Sequence, residues 1–155
     1  MTREERKADA NSSLKAQAWE NSNHPLYIHH SDQLGAILVP QASVEDNFSA
    51  WIESMDMAIQ IKNKIGFVNG TLTKLVKNPN ELNQWNRCNI LVKTWLLASM
   101  SKEISKSFSH CKDARTVWLE LHERFGQTNI VQLFNIENAI HDCTQGSSSV
   151  TSFFT

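Results

Sequence analysis

The apolar positions of this chain recur mostly at helical intervals. Residues 1 to about 22 hold only scattered apolar groups, Leu14 and Trp19, among charges, Asn and Ser. Such a stretch buries too little surface to offset the entropy of ordering, and it reads as a flexible leader. From residue 23 the character changes. Leu26-Tyr27-Ile28 and Ala36-Ile37-Leu38-Val39 are short β-prone runs, bounded by Pro25 and Pro40 and separated by a turn with Ser31, Asp32 and Gly35. They predict a small β-hairpin.

Three helices follow with clear stripes. After Asp46 or Asn47 as N-cap, Phe48, Trp51, Ile52, Met55 and Ile59 share one face of a helix expected to end near Gly66. Phe67-Val68-Asn69-Gly70-Thr71 then reads as a turn, since Asn-Gly accepts positive φ. Asn78, Pro79 and Glu81 form a strong start signal: a cap, a proline at the first helical position and an acid that can reach back to the cap. Leu82, Trp85, Cys88, Val92, Trp95, Leu96 and Ser99 lie on one face behind it. A short helix from Ser101 to about Ser109 would bury Ile104 and Phe108. With Asp113 as cap, Ala114, Val117, Trp118, Leu121 and Phe125 make a further stripe, with Gly126 placed for a left-handed C-cap. Glu120, Glu123 and Arg124 are expected to point away from it.

A last full helix is expected from Thr128 to about Cys143, with Leu133, Ile136, Ile140 and Cys143 in register and Gly146-Ser147-Ser148-Ser149 as its breaker. Val150 to Phe154 starts another amphipathic segment, which stops at Thr155 and reads as the cut end of a longer polypeptide. The expectation is a mainly α protein: a helical bundle over residues 23–155, preceded by a short N-terminal β-hairpin.

Composition changes this picture little. With 155 residues, 41% of them hydrophobic, and five Trp, the chain has material for one core. The net charge of −1 supplies no overall field toward nucleic acid or an anionic membrane. Lys62, Lys64, Lys74 and Lys77 form a basic strip free of acids, read as a solvated face. Cys88, Cys111 and Cys143 are odd in number and widely spaced, which fits free thiols in a reducing compartment. The start MTREERKADANSS has no apolar signal region, and no run is long enough to span a membrane. A soluble cytoplasmic protein is expected.

The search for chemistry yields no catalytic, cofactor-binding or metal residue. No Gly-rich phosphate loop or G-x-S-x-G elbow occurs. His110, Cys111 and His122 are close in sequence, yet no two of them have the i, i+4 spacing that lets one helix face hold a metal. They read as neighbours without convergent geometry. His24, His29 and His30 lack a nearby Cys or an obvious fourth ligand and read as loop histidines. Trp51, Trp85, Trp95 and Trp118 could stack on bases, but each lies on the inward stripe of its helix. Cys88 reads as a small core hydrophobe.

Four blocks in order, PLYIHHSDQLGAILVPQ, DNFSAWIESMDMAIQIKNKIGFVNGTL, WNRCNILVKTWLLASMSKEIS and DARTVWLELHERFGQTN, resemble the N-terminal Gag region of plant copia-type LTR retrotransposon polyproteins over roughly residues 23 to 155. His30 and Glu45 stand where the family often has Pro and Gly. The resemblance implies a domain similar to the retroviral capsid N-terminal domain, truncated at its C-terminus, that self-associates into particles around the element's RNA. It implies no enzyme activity, cofactor, small-molecule substrate or membrane partner. The family's polyprotein continues into a second capsid domain, a CCHC zinc knuckle and enzymes, none of which is read in these 155 residues. Candidate contact surfaces are the outward residues of the first two helices, including Met57 and Ile61. The competing expectation is a host-recruited adapter or nucleic-acid-binding module that would use the lysine strip. A metal-dependent enzyme built on the histidines is a third.

Overall fold

The computed structural model describes residues 17–42, 46–74 and 78–148, with the side chains of 127–133 and 144–148 outside the description. The described part is mainly helical. A 3-10 turn at Ala18–Glu20 is followed by α1 (Phe48–Ile61), α2 (Gly66–Asn69), α3 (Pro79–Ala98), α4 (Lys102–Phe108) and α5 (Ala114–Ser148). Trp19, in the stretch read as leader, packs against the core, while residues 1–16 lie outside the described residues.

α1 forms on the expected stripe, with Phe48, Trp51, Met55 and Ile59 buried. Asn47 sits at the N-cap position, but its side chain makes no capping bond and its Oδ1 is buried without a partner among the described residues. The helix ends before Gly66. Asn63 takes φ 54°, Lys64 N donates to Ile59 O at 3.0 Å, and Asn63 N donates to Gln60 O at 2.9 Å. This pair of bonds is a Schellman ending, with Asn tolerating the left-handed position. The expected turn at 67–71 is instead the single-turn α2 followed by Gly70 at φ 81°. Phe67 and Val68 are buried there, and Asn69 Oδ1 accepts from Thr71 N at 2.9 Å.

α3 begins as its sequence dictates: Asn78 Oδ1 accepts from Glu81 N at 2.8 Å, with Pro79 in the first turn. Trp85, Cys88, Val92, Trp95, Leu96 and Ser99 are all buried. Three indoles find backbone acceptors: Trp51 donates to Ser99 O at 3.0 Å, Trp85 to Leu72 O at 3.3 Å and Trp95 to Gln33 O at 2.9 Å. The tryptophans are core elements, as their stripes imply.

The N-terminal hairpin does not form; residues 24–42 make turns and no strand. Side chains of α3 take the place of a ladder. Leu26 O accepts from Gln84 Nε2 at 2.7 Å and from the Cys88 thiol at 3.2 Å. Gly35 N donates to Thr94 Oγ1 and Leu38 N to Ser99 Oγ, each at 3.3 Å. Leu26 and Val39 are buried in the core. The runs read as strands are therefore a strap across α3, whose polar groups are satisfied by side chains rather than by a second strand.

The second departure lies at Gly126. In place of two helices separated there and a break at Gly146, α5 is one helix of 35 residues. Glycine inside a helix costs about 1 kcal/mol relative to alanine, less than interrupting the hydrogen-bond ladder would. The first part of α5 packs against α1, α2 and α3 through Ala114, Val117, Trp118, Leu121 and Phe125.

Candidate functional site

Two features of α5 stand out, one along its far half and one beside its first turns. At about 100° per residue, Ile136, Ile140 and Cys143 lie on the same side of the helix as Ala114, Leu121 and Phe125. The near half of that face is buried. The far half is not: Ile136 is 56% and Ile140 60% exposed, and Cys143 is exposed. Phe134, on another side, is also exposed. Among the described residues, the apolar face of α5 thus continues, largely exposed, past the core it serves.

Met57 and Ile61, expected off the core stripe of α1, are 59% and 85% exposed. Met57 lines an open groove of about 460 Å³ between α1 and α5, with Ile52, Glu53, Asp56, Trp118 and His122. His122 stands at its rim, edge-on to Trp118 at 5.3 Å and to Phe48 at 5.9 Å.

The lysine strip is only in part a solvated face: Lys74 is exposed, whereas Lys62 and Lys64 are not free. Lys62 Nζ pairs with Asp32 Oδ1 at 2.7 Å, and Lys64 is buried with Nζ donating to Tyr27 O at 2.6 Å. Burial pushes the Lys64 ammonium below its ordinary value. Lys74 lies over the Trp85 ring at 5.8 Å, and Lys77 is outside the described residues. Two of the four charges are thus spent holding the strap to the end of α1. Linear spacing gave no sign of this, because Asp32 and Tyr27 lie about 30 or more residues away in sequence.

The histidines of the strap serve the strap itself. His24 Nδ1 accepts from Leu26 N at 3.1 Å and His29 Nδ1 from Ser31 N at 3.2 Å.

The cluster read as lacking convergence does converge, with a different third member. His122 is elsewhere; Glu120 turns toward the connection between α4 and α5, and His110 Nε2 lies 3.8 Å from Glu120 Oε1 and 3.8 Å from Cys111 Sγ. The imidazole, thiol and carboxylate atoms all fall within 4.8 Å of one another. Cys111 is buried, whereas the side chains of His110 and Glu120 are 69% and 39% exposed. Burial raises the Cys111 thiol above its ordinary value, and the neighbouring Glu120 carboxylate, which accepts its hydrogen bond, adds to the rise. The missed signal was positional: Glu120 is two turns into α5, level with a connection that folds back along the helix.

No helix among the described residues is long and apolar enough to cross a membrane. No curated protein and no solved structure matches the chain significantly. The matched family segment runs from the strap through α1 and α2, and so takes in most of the first and all of the second of the four sequence blocks. Residues 29–74 match the family model of the Gag-polypeptide of LTR copia-type elements, the family that the sequence resembles.

Proposed function

We propose that the chain is a structural, non-catalytic Gag domain of a copia-type LTR retrotransposon, which self-associates through helical surfaces into cytoplasmic particles that package the element's RNA. The family match over residues 29–74 supports the Gag-related role. The observation that carries self-association is the exposure of the apolar side chains Ile136 and Cys143 on the far half of α5, on the side that the core uses nearer its start. Left in water, such a face favours contact with an equivalent face on a second copy.

The size of the face decides the kind of contact. Residues 134–143, the described side chains of this far half, span about 15 Å of helix roughly 10 Å wide. This footprint falls well short of the ~800 Å² per partner typical of a stable interface. One such contact is weak, and a particle needs several acting together, with Met57 and Ile61 as a second candidate patch. The commitment of Lys62 and Lys64 to the strap argues against the adapter or nucleic-acid-binding reading, which needed those charges free. RNA contact then belongs to the full Gag rather than to this strip.

Sedimentation velocity across a concentration series tests the proposal. The expected result is a rise in weight-average sedimentation coefficient with concentration, abolished by Ile136→Asp with Ile140→Asp. A species that stays monomeric at the highest concentrations, with or without the substitutions, refutes it.

A further inference from the structure

We propose that His110, Cys111 and Glu120 form a binding site for a zinc-class divalent cation, which would clamp the α4–α5 connection to the second turn of α5. The three side chains offer an imidazole nitrogen, a thiol sulfur and a carboxylate oxygen, the donor types that zinc accepts. Tetrahedral zinc, with bonds of about 2.0–2.3 Å, holds its ligand atoms about 3.3–3.8 Å apart. The two 3.8 Å separations from His110 Nε2 are within a few tenths of an ångström of that spacing. The third, between sulfur and carboxylate, is bounded by 4.8 Å and closes by rotation of the Glu120 side chain.

Chain position makes the arrangement more than a surface ion pair. His110 and Cys111 lie in the connection after α4, and Glu120 on α5, so binding joins two segments. The sulfur is buried against the core while the nitrogen and carboxylate face water. One side of the site is thereby fixed by packing, and the other is open to an incoming ion and to a water as fourth ligand. Binding transfers the thiol proton to solvent and leaves sulfur and carboxylate as the two negative ligands on a dication, so charge is balanced. The nearby Lys93 ammonium, on α3, is the opposing charge. The site is independent of the proposed assembly face.

Cobalt(II) reports the ligands directly, because a thiolate bound to it gives a charge-transfer band and tetrahedral coordination gives intense d–d bands. The 155-residue chain should bind one equivalent of Co²⁺ with both signatures, and Zn²⁺ should displace it. The bands should persist in Cys143→Ser, which removes the exposed thiol. They should vanish in Cys111→Ser. In His110→Ala and Glu120→Gln, affinity should fall about tenfold or more, since even an outer-shell partner is worth that much. Cys111 is buried and its serine variant can fail to fold, so the two exposed positions decide the matter independently. No charge-transfer band with excess Co²⁺, or a band that survives in His110→Ala and Glu120→Gln and disappears in Cys143→Ser, overturns the site.

Discussion

Asn89 is a polar side chain buried on α3, and its replacement by alanine tests how α5 begins. Its Oδ1 accepts from Ala114 N, the first amide of α5, at 3.0 Å. The first amides of a helix have no partner within it, and here one of them is capped from a residue 25 positions earlier in the chain. Ala114 is 0% exposed. Asn89→Ala therefore leaves a donor where water reaches it poorly, a loss of about 1–3 kcal/mol for an unsatisfied buried group. Loss of an ordinary N-cap costs about 1 kcal/mol, which sets the lower end. Asn89 also borders a groove shared with Asp113 and Arg115, from which water can partly replace the acceptor. The expected loss is about 2 kcal/mol, or roughly 4–8 °C in melting temperature for a domain of this size.

Urea denaturation followed by the core tryptophans measures this loss, and hydrogen exchange at the Ala114 amide locates it. Asn89→Ala should lower the midpoint with an unchanged slope and speed exchange at Ala114. Asn89→Asp keeps an acceptor beside the positive end of the helix and should retain most of the stability, with Arg115 offsetting its closeness to Asp113. A loss under about 0.5 kcal/mol in the alanine variant, or equal losses in the two variants, would refute the capping argument.

Gly126→Ala should stabilise the chain by about 0.5–1 kcal/mol, because the residue is inside α5 and a Cβ there meets nothing within 4 Å; destabilisation on thermal melting would mean that the helix ends there after all. Alkaline pH should erode the contribution of Cys88, which is 0% exposed and whose thiol is pushed up to about 11 from 9.0, mainly by burial. The folded state then holds the proton that the unfolded chain releases, so stability is complete below about pH 9 and is lost as pH rises toward about 11, by roughly 2–3 kcal/mol. Lys64 works oppositely: its lowered folded value means stability gained as pH rises toward 10.5. The gap in unfolding free energy between wild type and Cys88→Ala isolates the thiol, and a gap that stays constant through this window would contradict the assignment. Trp95→Phe removes the donor to Gln33 O and should cost about 2–3 kcal/mol from the lost bond and smaller ring, with faster exchange across the strap; unchanged exchange there would show that the strap is held by other contacts.

The parts of the fold that the sequence discloses are those decided within a few residues. Asn78, Pro79 and Glu81 start α3 by contacts three positions apart, and the Trp85 to Ser99 stripe follows from helical periodicity. The strap was misread because its β-prone residues report only that the stretch is apolar and extended. Their hydrogen-bond partners, Gln84, Cys88, Thr94, Trp95 and Ser99, come about 60 residues later, and a backbone satisfied by side chains leaves no strand-to-strand pattern to read. At Gly126 the local signal was real but weak, and about 1 kcal/mol of propensity does not outweigh a ladder continuing on both sides. Glu120 shows the sharper limit. Periodicity correctly places it off the core stripe, where solvent is the default surrounding. A helix face turned from its own core is free only if no other segment folds over it. Here the connection carrying His110 and Cys111 does so, and a side chain expected to point into water becomes the third member of a convergent cluster.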